Sequence, residues 1–566
     1  MTEMVLPDVY IDVRAEGLIV PGRITVGNLG VVGTASKGPI GTPVLLGSYA
    51  EAQERFGDYD AWPASPTAQQ TALTLVRALE LAFANGATTV FGVRVAGRDA
   101  SDPTKSAAKR AAHVLKAGTD DCLRLLASSE GTWGDDVTVK VEQATESPEV
   151  AEEEHLGSEG QVITLKHRPV RSARNRFRHF VNAQGVSRLL KAAPDPANLK
   201  PGQYLIANDG KLHIGDALAA DDKVIASYLV DPAQAVKVSA VYGRTTETYT
   251  VLTGEDLARR LNDPIQPSAL LQAEFPPQPP ASFHPEKKPD EVIAQLTGGD
   301  NGASAGAGDY KAGLDQLTNQ PAHIIVGAGQ DDTFGDELDN HCQNASTDAV
   351  KRDRIAVVGS RIGASVDVLR GNQLSSDRLI FVAPGIRVTD TAASPQVEAV
   401  LPGSYTAAAV AGLLARLPAH VSPTNKTLGI GALEQQFTAA ELTQLVLSHI
   451  FALERRQGVR VVKGITTADP PFHQITTRRI VDYAKFGVRS AAEPYIGLLN
   501  NDRVRGALRA TVNSFLTDML NAEMLISYEL DVTATRAEQL QGIARINMVL
   551  RPVFSIESIR VTITLA

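Results

Sequence analysis

The sequence predicts a mixed α/β (α+β) chain of several domains, on three observations. Its 566 residues exceed what one hydrophobic core organises, because domains run to about 100–200 residues, which implies about three or four. Short apolar runs, His323 to Val326, Ile355 to Val358 and Leu379 to Val382, alternate with helical spacers, as in a sheet of buried strands. Both ends alternate apolar and polar residues with the period of a strand.

Composition narrows the function classes. A chain that is 43% hydrophobic and 21% charged is globular, and 46 glycines with 31 prolines are ordinary shares that speak against bulk disorder. Asp and Glu outnumber Lys and Arg 64 to 55, a net charge of −9, which argues against a general nucleic-acid binder or an anionic membrane surface. Cys122 and Cys342 are too few for a disulfide framework or thiolate zinc site and read as reduced core thiols. The first residues lack a basic-then-apolar signal, and no run reaches the roughly 18 apolar residues of a membrane span, so a cytoplasmic chain without direct membrane insertion is expected.

In order along the chain, Val5 to Arg14 puts Val9, Ile11 and Val13 on one face of a strand. Gly22 to Gly33 is strand-like. Thr67 to Asn85 predicts an amphipathic helix on Leu73, Val76, Leu79, Leu81 and Phe83, ended by Asn85-Gly86, and Thr88 to Val95 a strand. Gly131 to Val141 is a turn feeding a strand, and the acidic Glu142 to Gly160 reads as an exposed loop. From Val162 to Val292 short strands dominate, with a helix near Glu255 to Asn262 and a Pro-rich linker from Phe275 to Pro289. Thr406 to Leu417 is a closely packing helix of small residues, a hairpin turns at Arg456 to Gly458, and a helix runs from Asp502 to Asn521. Three strands close the chain, the last placing Ile559, Val561, Ile563 and Leu565 on one face.

The terminal strands have two readings. Each belongs to its own chain's sheet, or one or both complete a neighbour's. Ordering about eight residues costs roughly 8–16 kcal/mol. About six ladder hydrogen bonds return about 3–9 kcal/mol and four buried aliphatic side chains about 6–12. One exchanged arm is therefore close to balance, and many closing together would hold.

Catalytic motifs are few. Gly302-Ala-Ser-Ala-Gly306 matches a nucleophile elbow, yet Ser304 sits in a Gly-rich loop rather than between a strand and a helix, so an α/β hydrolase-like enzyme using Ser304 is the alternative function only. No phosphate loop or dinucleotide fingerprint is present, and no cofactor, metal or catalytic set is expected. His341-Cys342 reads as a structural cysteine beside a solvated histidine, and His473 has no partner identifiable from sequence.

A run of motifs carries a resemblance: Leu6-Pro-Asp-Val-Tyr-Ile-Asp12, with Asp8 where glycine is common; Gly33-Thr-Ala-Ser-Lys-Gly-Pro39; Phe56-Gly57; Phe83-Ala-Asn-Gly86 with Val90-Phe-Gly-Val-Arg-Val95; and Gly131-Thr-Trp-Gly134. Leu296-Thr-Gly-Gly-Asp-Asn-Gly302, Val410 to Arg416, Ser422-Pro-Thr-Asn425, Thr477-Arg-Arg-Ile480 and Ile546 to Val553 follow in order. The chain resembles the tail sheath family of contractile phage tails, R-type pyocins and contractile injection systems, over nearly its whole length and least between Glu142 and Pro289.

The resemblance implies a tail-sheath-like fold: an N-terminal arm (1–25), a discontinuous middle α/β domain (26–141 plus 297–434), an inserted β-rich outer domain and linker (142–296), and a C-terminal inner domain (435–566) whose final strand is an arm. It implies hexameric rings stacked in a helix around an inner tube, with baseplate and terminator or cap proteins as further partners, nucleic acid not among them, and no active site. It also raises the exchange reading of Val9, Ile11 and Val13 and of Ile559, Val561 and Ile563. On the Asp502 helix, Arg503, Arg505 and Arg509 either form a solvated face or meet an acidic inner tube, since Arg505 and Arg509 at i, i+4 repel without a counter-charge.

Overall fold

The computed structural model describes residues 27–564 apart from 100, 103, 169, 172–173, 182–184, 195–197, 208–209 and 303–304. The expected strand of Val9, Ile11 and Val13, and Ser304, lie outside the described residues. The chain forms two compact units, one of residues up to 98 with those from 303 on, the other of residues 99–302.

The first unit is built on a sheet ordered Pro43–Leu46, Val90–Val95, Leu29–Thr34, Ile324–Asp331, Ile355–Gly359, Leu379–Ala383, Phe451–Arg455, Val459–Val461, Thr427–Leu428. From Val90–Val95 to Phe451–Arg455 neighbours run parallel; the outer strands are antiparallel. Parallel strands covered on both faces need apolar residues throughout, and Ile355–Gly359 and Leu379–Ala383 are buried along their whole length. Successive residues serve opposite faces: Val31, Val326 and Val357 pack under the Leu75–Ala84 and Gly403–Arg416 helices, while Val32, Ile325 and Val358 pack under Ala307–Leu317 and Gly335–Ala345.

Small residues let the Gly403–Arg416 helix approach as closely as its sequence suggests. A Cβ added to Gly412 would stand 2.2 Å from the Ala82 carbonyl oxygen. The expected single helix from Thr67 to Asn85 is instead two, Pro66–Gln69 and Leu75–Ala84. Between them the Thr74 backbone N–H donates to the Thr34 carbonyl at 3.1 Å, and the Thr74 hydroxyl meets the Tyr310 hydroxyl at 3.0 Å and accepts from the Thr34 N–H at 3.0 Å. The Thr74 N–H is thus spent on a strand end rather than on an i−4 carbonyl, which interrupts the helical ladder between the two segments.

The second unit runs 99–302, wider than the expected insertion of 142–296. Its Thr138–Gln143, Val236–Tyr242 and Val292–Gln295 strands share one sheet, and Asp120–Ala127 contributes Leu123 and Leu125 to the same core around Trp133. Glu149–Leu156, expected as loop, is an edge strand antiparallel to Lys223–Leu229. The solvated carboxylates of Glu149, Glu152 and Glu154 hide its strand character, while Val150, Glu153 and His155 turn inward, and charged edges are a common protection. The segment from Phe275 to Pro289 is tied down rather than linking freely: the His284 N–H donates to the Asp121 carbonyl at 2.8 Å, and the Pro285 and Lys287 carbonyls accept from Glu255 and Gly254.

Candidate assembly surface

The last hundred residues form a layer on the first unit, organised by the Ile475–Ala492 helix. Two stripes, each spaced four, three and four residues, run along it. Ile480, Ala484, Gly487 and Ala491 face the Asp502–Asn521 helix, joining Leu508, Val512, Phe515, Leu516 and Met519. Gly487 sits directly under the Phe515 ring, where an added Cβ would stand 1.9 Å from Phe515 Cζ.

The second stripe, Arg478, Asp482, Lys485 and Arg489, is ionic and binds the loops before the parallel strands. Asp482 accepts from Arg378 at 2.9 and 3.1 Å and from Arg478 at 2.7 Å. Asp353 takes Lys485 and, at 2.5 Å, Arg489; Arg478 also donates to Asp377 at 2.8 Å. Arg378, Asp353, Arg478 and Asp482 are nearly buried, with side-chain exposures of 5%, 5%, 7% and 13%. Nothing in a single-chain sequence pairs these residues, whose partners lie about a hundred positions away; only the stripe spacing was there to be read.

Beyond the Asp502–Asn521 helix comes the Leu525–Thr533 and Arg545–Pro552 hairpin, a two-stranded antiparallel sheet. Tyr528, Leu530 and Val532 stand opposite Leu550, Met548 and Ile546, and this face packs on the helices. On the other face Ile526 and Val549 are exposed beside the Glu529–Arg551 pair. Neither edge of the hairpin is paired among the described residues.

The third expected strand joins no sheet among the described residues. After the Val553 N–H donates to the Met524 carbonyl, residues 553–564 enter no ladder, and Ile559, Val561 and Ile563 are 80%, 75% and 81% exposed. The apolar alternation is intact, but among the described residues no strand lies beside it.

The three arginines differ. Arg503 is exposed on its helix. Arg505 has the counter-charge its spacing to Arg509 demands, from Asp502, and also donates to Asn500 Oδ1 at 2.7 Å. Arg509 donates to the Leu530 carbonyl at 3.3 Å and is otherwise exposed.

Other candidate groups are absorbed by the fold. His341 is buried, not solvated: Arg354, which can only donate, meets His341 Nε2 at 2.9 Å, so that nitrogen accepts and the ring is neutral. Burial first, then the Arg354 and Lys311 charges, push its pKa down to about 4. Arg354 itself caps the Ala307–Leu317 helix through the Leu317, Thr318 and Gln320 carbonyls. Burial pushes the thiols of Cys122 and Cys342 up to about 11 and about 12, the opposite of nucleophile activation. His473 Nδ1 lies 3.1 Å from the Ala468 carbonyl, with its ring edge-on to His449. Among the described residues no cluster of His, Cys, Asp or Glu is arranged to hold a metal, and no helix is long and apolar enough to cross a membrane.

Comparison with known proteins accounts for this arrangement. Family models described as the phage tail sheath protein central domain and the phage tail sheath C-terminal domain match residues 303–467 and 467–566. The fold is similar to that of a sheath tail protein from Desulfitobacterium hafniense, at 13% identity and a TM-score of 0.56, covering 96% of this chain and all of that one. It is also similar to a sheath tail protein from Listeria innocua, at 12% identity and a TM-score of 0.59, covering 94% and 93%. No curated protein sequence matches the chain. Fold and matched domains together define a structural sheath subunit, and give the Ser304 hydrolase reading no support. The two matched domains place residues 303–566 in the phage tail sheath family.

Proposed function

We propose that this chain stacks as hexameric rings in a helix around a rigid inner tube, and that shortening and widening of the sheath drives the tube through a target envelope. Assembly takes place in the cytoplasm, with baseplate and terminator or cap proteins at the two ends. The 1–25 and C-terminal arms pair with neighbouring copies through Val9, Ile11 and Val13 and through Ile559, Val561 and Ile563. Residues 435–566 form the inner domain, 26–98 with 303–434 the middle one, and the unit of residues 99–302 is the inserted outer domain.

The observation that carries this reading is an incompatibility within one chain. Among the described residues a two-stranded sheet has both edges open, while an alternating apolar segment stands exposed beside no strand. Open edges are templates for added strands. A second copy satisfies both. No nucleotide is required, because a metastable extended lattice stores the energy that contraction releases.

The test is electron microscopy of purified chains. The full-length protein is expected to form long striated tubules, and a chain lacking residues 1–14 and 557–566 to remain unassembled at the same concentration. Tubules of the trimmed chain matching those of the intact one would remove the arms from the account.

Arg503 and Arg509 are the tube-facing pair to probe, because Arg505 is committed to Asn500 and Asp502. Reversing Arg503 and Arg509 to Glu is expected to leave self-assembly intact and abolish sheathing of the tube in co-assembly. Reversing Arg505 as well adds damage to the loop at 500–502, seen as a lower melting temperature of the unassembled chain.

A further inference from the structure

We propose that Glu557 is a latch that fixes the point at which the C-terminal arm leaves its own subunit, and so sets the length of the tether to the neighbour. The inference rests on the arm pairing proposed above.

Beyond Val553, the hydrogen-bonding contacts that tie the tail to the rest of its chain among the described residues are those of one side chain. Glu557 Oε2 lies 2.9 Å from Lys463 Nζ, and its Oε1 accepts from Gln474 Nε2 at 3.0 Å. Both members of the ion pair are about three-quarters sheltered, with side-chain exposures of 27% for Lys463 and 26% for Glu557. On either side the tail is bare: Ile556 is 81% and Ile559 80% exposed. A carboxylate three-quarters sheltered between two partners, in a segment where Phe554, Ile556 and Ile559 face solvent, holds a position rather than a core. Lys463 follows the Val459–Val461 strand and Gln474 precedes the Ile475–Ala492 helix, so the latch joins the tail to two regular elements of the subunit body.

The consequence is geometric. With the latch closed, the free tether is residues 558–566. With it open, the tail is released from Val553, and residues 554–557 add about 13 Å of reach, at roughly 3.3 Å per extended residue. A longer flexible tether lowers the effective concentration of the arm at its acceptor and admits more than one spacing. The latch therefore makes the arm a hinge of defined length, with subunit rotation absorbed at Ser558 and beyond.

The test compares wild type with Glu557→Ala, with the reversed pair Lys463→Glu and Glu557→Lys, and with a chain ending at Glu557. In the unassembled protein, release of the C-terminal peptide by chymotrypsin after Phe554 is expected to be several-fold faster in Glu557→Ala and to return toward the wild-type rate in the reversed pair, where the Gln474 amide oxygen can accept from the new lysine. Sheaths of Glu557→Ala are expected to show a broadened ring spacing, narrowed again by the reversed pair. Equal cleavage rates and equal spacing for Glu557→Ala and wild type would overturn the latch, as would a reversed pair that behaves like Glu557→Ala. The truncated chain separates the two ideas. If it fails to assemble while Glu557→Ala is indistinguishable from wild type, the arm stands and the latch falls; if it assembles normally, the arm reading falls and takes the latch with it.

Discussion

Replacing Asp482 with alanine is expected to cost about 3–5 kcal/mol of stability in the unit that holds it, because two buried guanidinium groups lose the carboxylate they share. Arg378 would keep its bond to the Arg354 carbonyl at 2.9 Å and a longer contact to Asp353 at 3.5 Å, and Arg478 would keep Asp377 at 2.8 Å. Those residual partners favour the lower half of the range. The chain has two tryptophans, Trp62 in the first unit and Trp133 in the second, so in a Trp133→Phe background the Trp62 fluorescence reports urea unfolding of the first unit alone. A loss below about 1 kcal/mol, the scale of a solvated surface pair, would mean that water already shares the network. A second variant tests the sign of the argument. Replacing Asp482, Arg378 and Arg478 together with apolar residues of similar volume is expected to recover part of the loss, since the three central charges go together and Asp353 keeps Lys485 and Arg489, while the partly exposed Asp377 loses Arg478.

That network also marks the limit of what the sequence disclosed. Features written in local periodicity were legible. The Asp502–Asn521 helix has the predicted bounds, with Leu508, Val512, Phe515, Leu516 and Met519 buried as its spacing requires, and the parallel strands at 355–359 and 379–383 follow from unbroken apolar runs. Features decided by a distant partner were not. The Thr67 to Asn85 pattern is helical by period, yet Thr34 and Tyr310 hold Thr74 and split it. Glu149–Leu156 is strand because Lys223–Leu229 lies beside it, whatever its acidic composition suggests locally. His341 lies inside because Arg354 needs an acceptor there. At the assembly surface the alternation of Ile559, Val561 and Ile563 was visible from the start, whereas the absence of a strand beside it among the described residues required coordinates. Glu557 carried only a parity signal, a carboxylate on the same side as Ile559, Val561 and Ile563, while its partners Lys463 and Gln474 lie more than eighty positions away.

Placing a methyl group on Gly487 sets two known effects against each other, and their sizes decide the outcome. Inside a helix, alanine is better than glycine by about 1 kcal/mol, so Gly487→Ala would stabilise a free-standing Ile475–Ala492 helix. In the folded layer the new Cβ would stand 1.9, 2.3 and 2.5 Å from three carbons of the Phe515 ring, far inside contact distance. Phe515 cannot simply swing away. It is 4% exposed and stacked on Tyr483, with ring centroids 5.9 Å apart and planes at 24°. Either the two helices separate or the ring leaves its rotamer, and overpacking of this kind costs about 1–3 kcal/mol or more. The net expectation is a loss of about 2 kcal/mol, read in urea with the same Trp62 signal, together with weaker assembly, because the hairpin rides on the Asp502–Asn521 helix through Tyr528, Leu530 and Val532. Shrinking the ring in Gly487→Ala with Phe515→Leu makes room for the methyl group, so the double variant should be more stable than the sum of the two single losses. Simple additivity, or a stabilising Gly487→Ala, would place the two helices farther apart than this packing has them, and with them the sheet edges offered to a neighbouring copy.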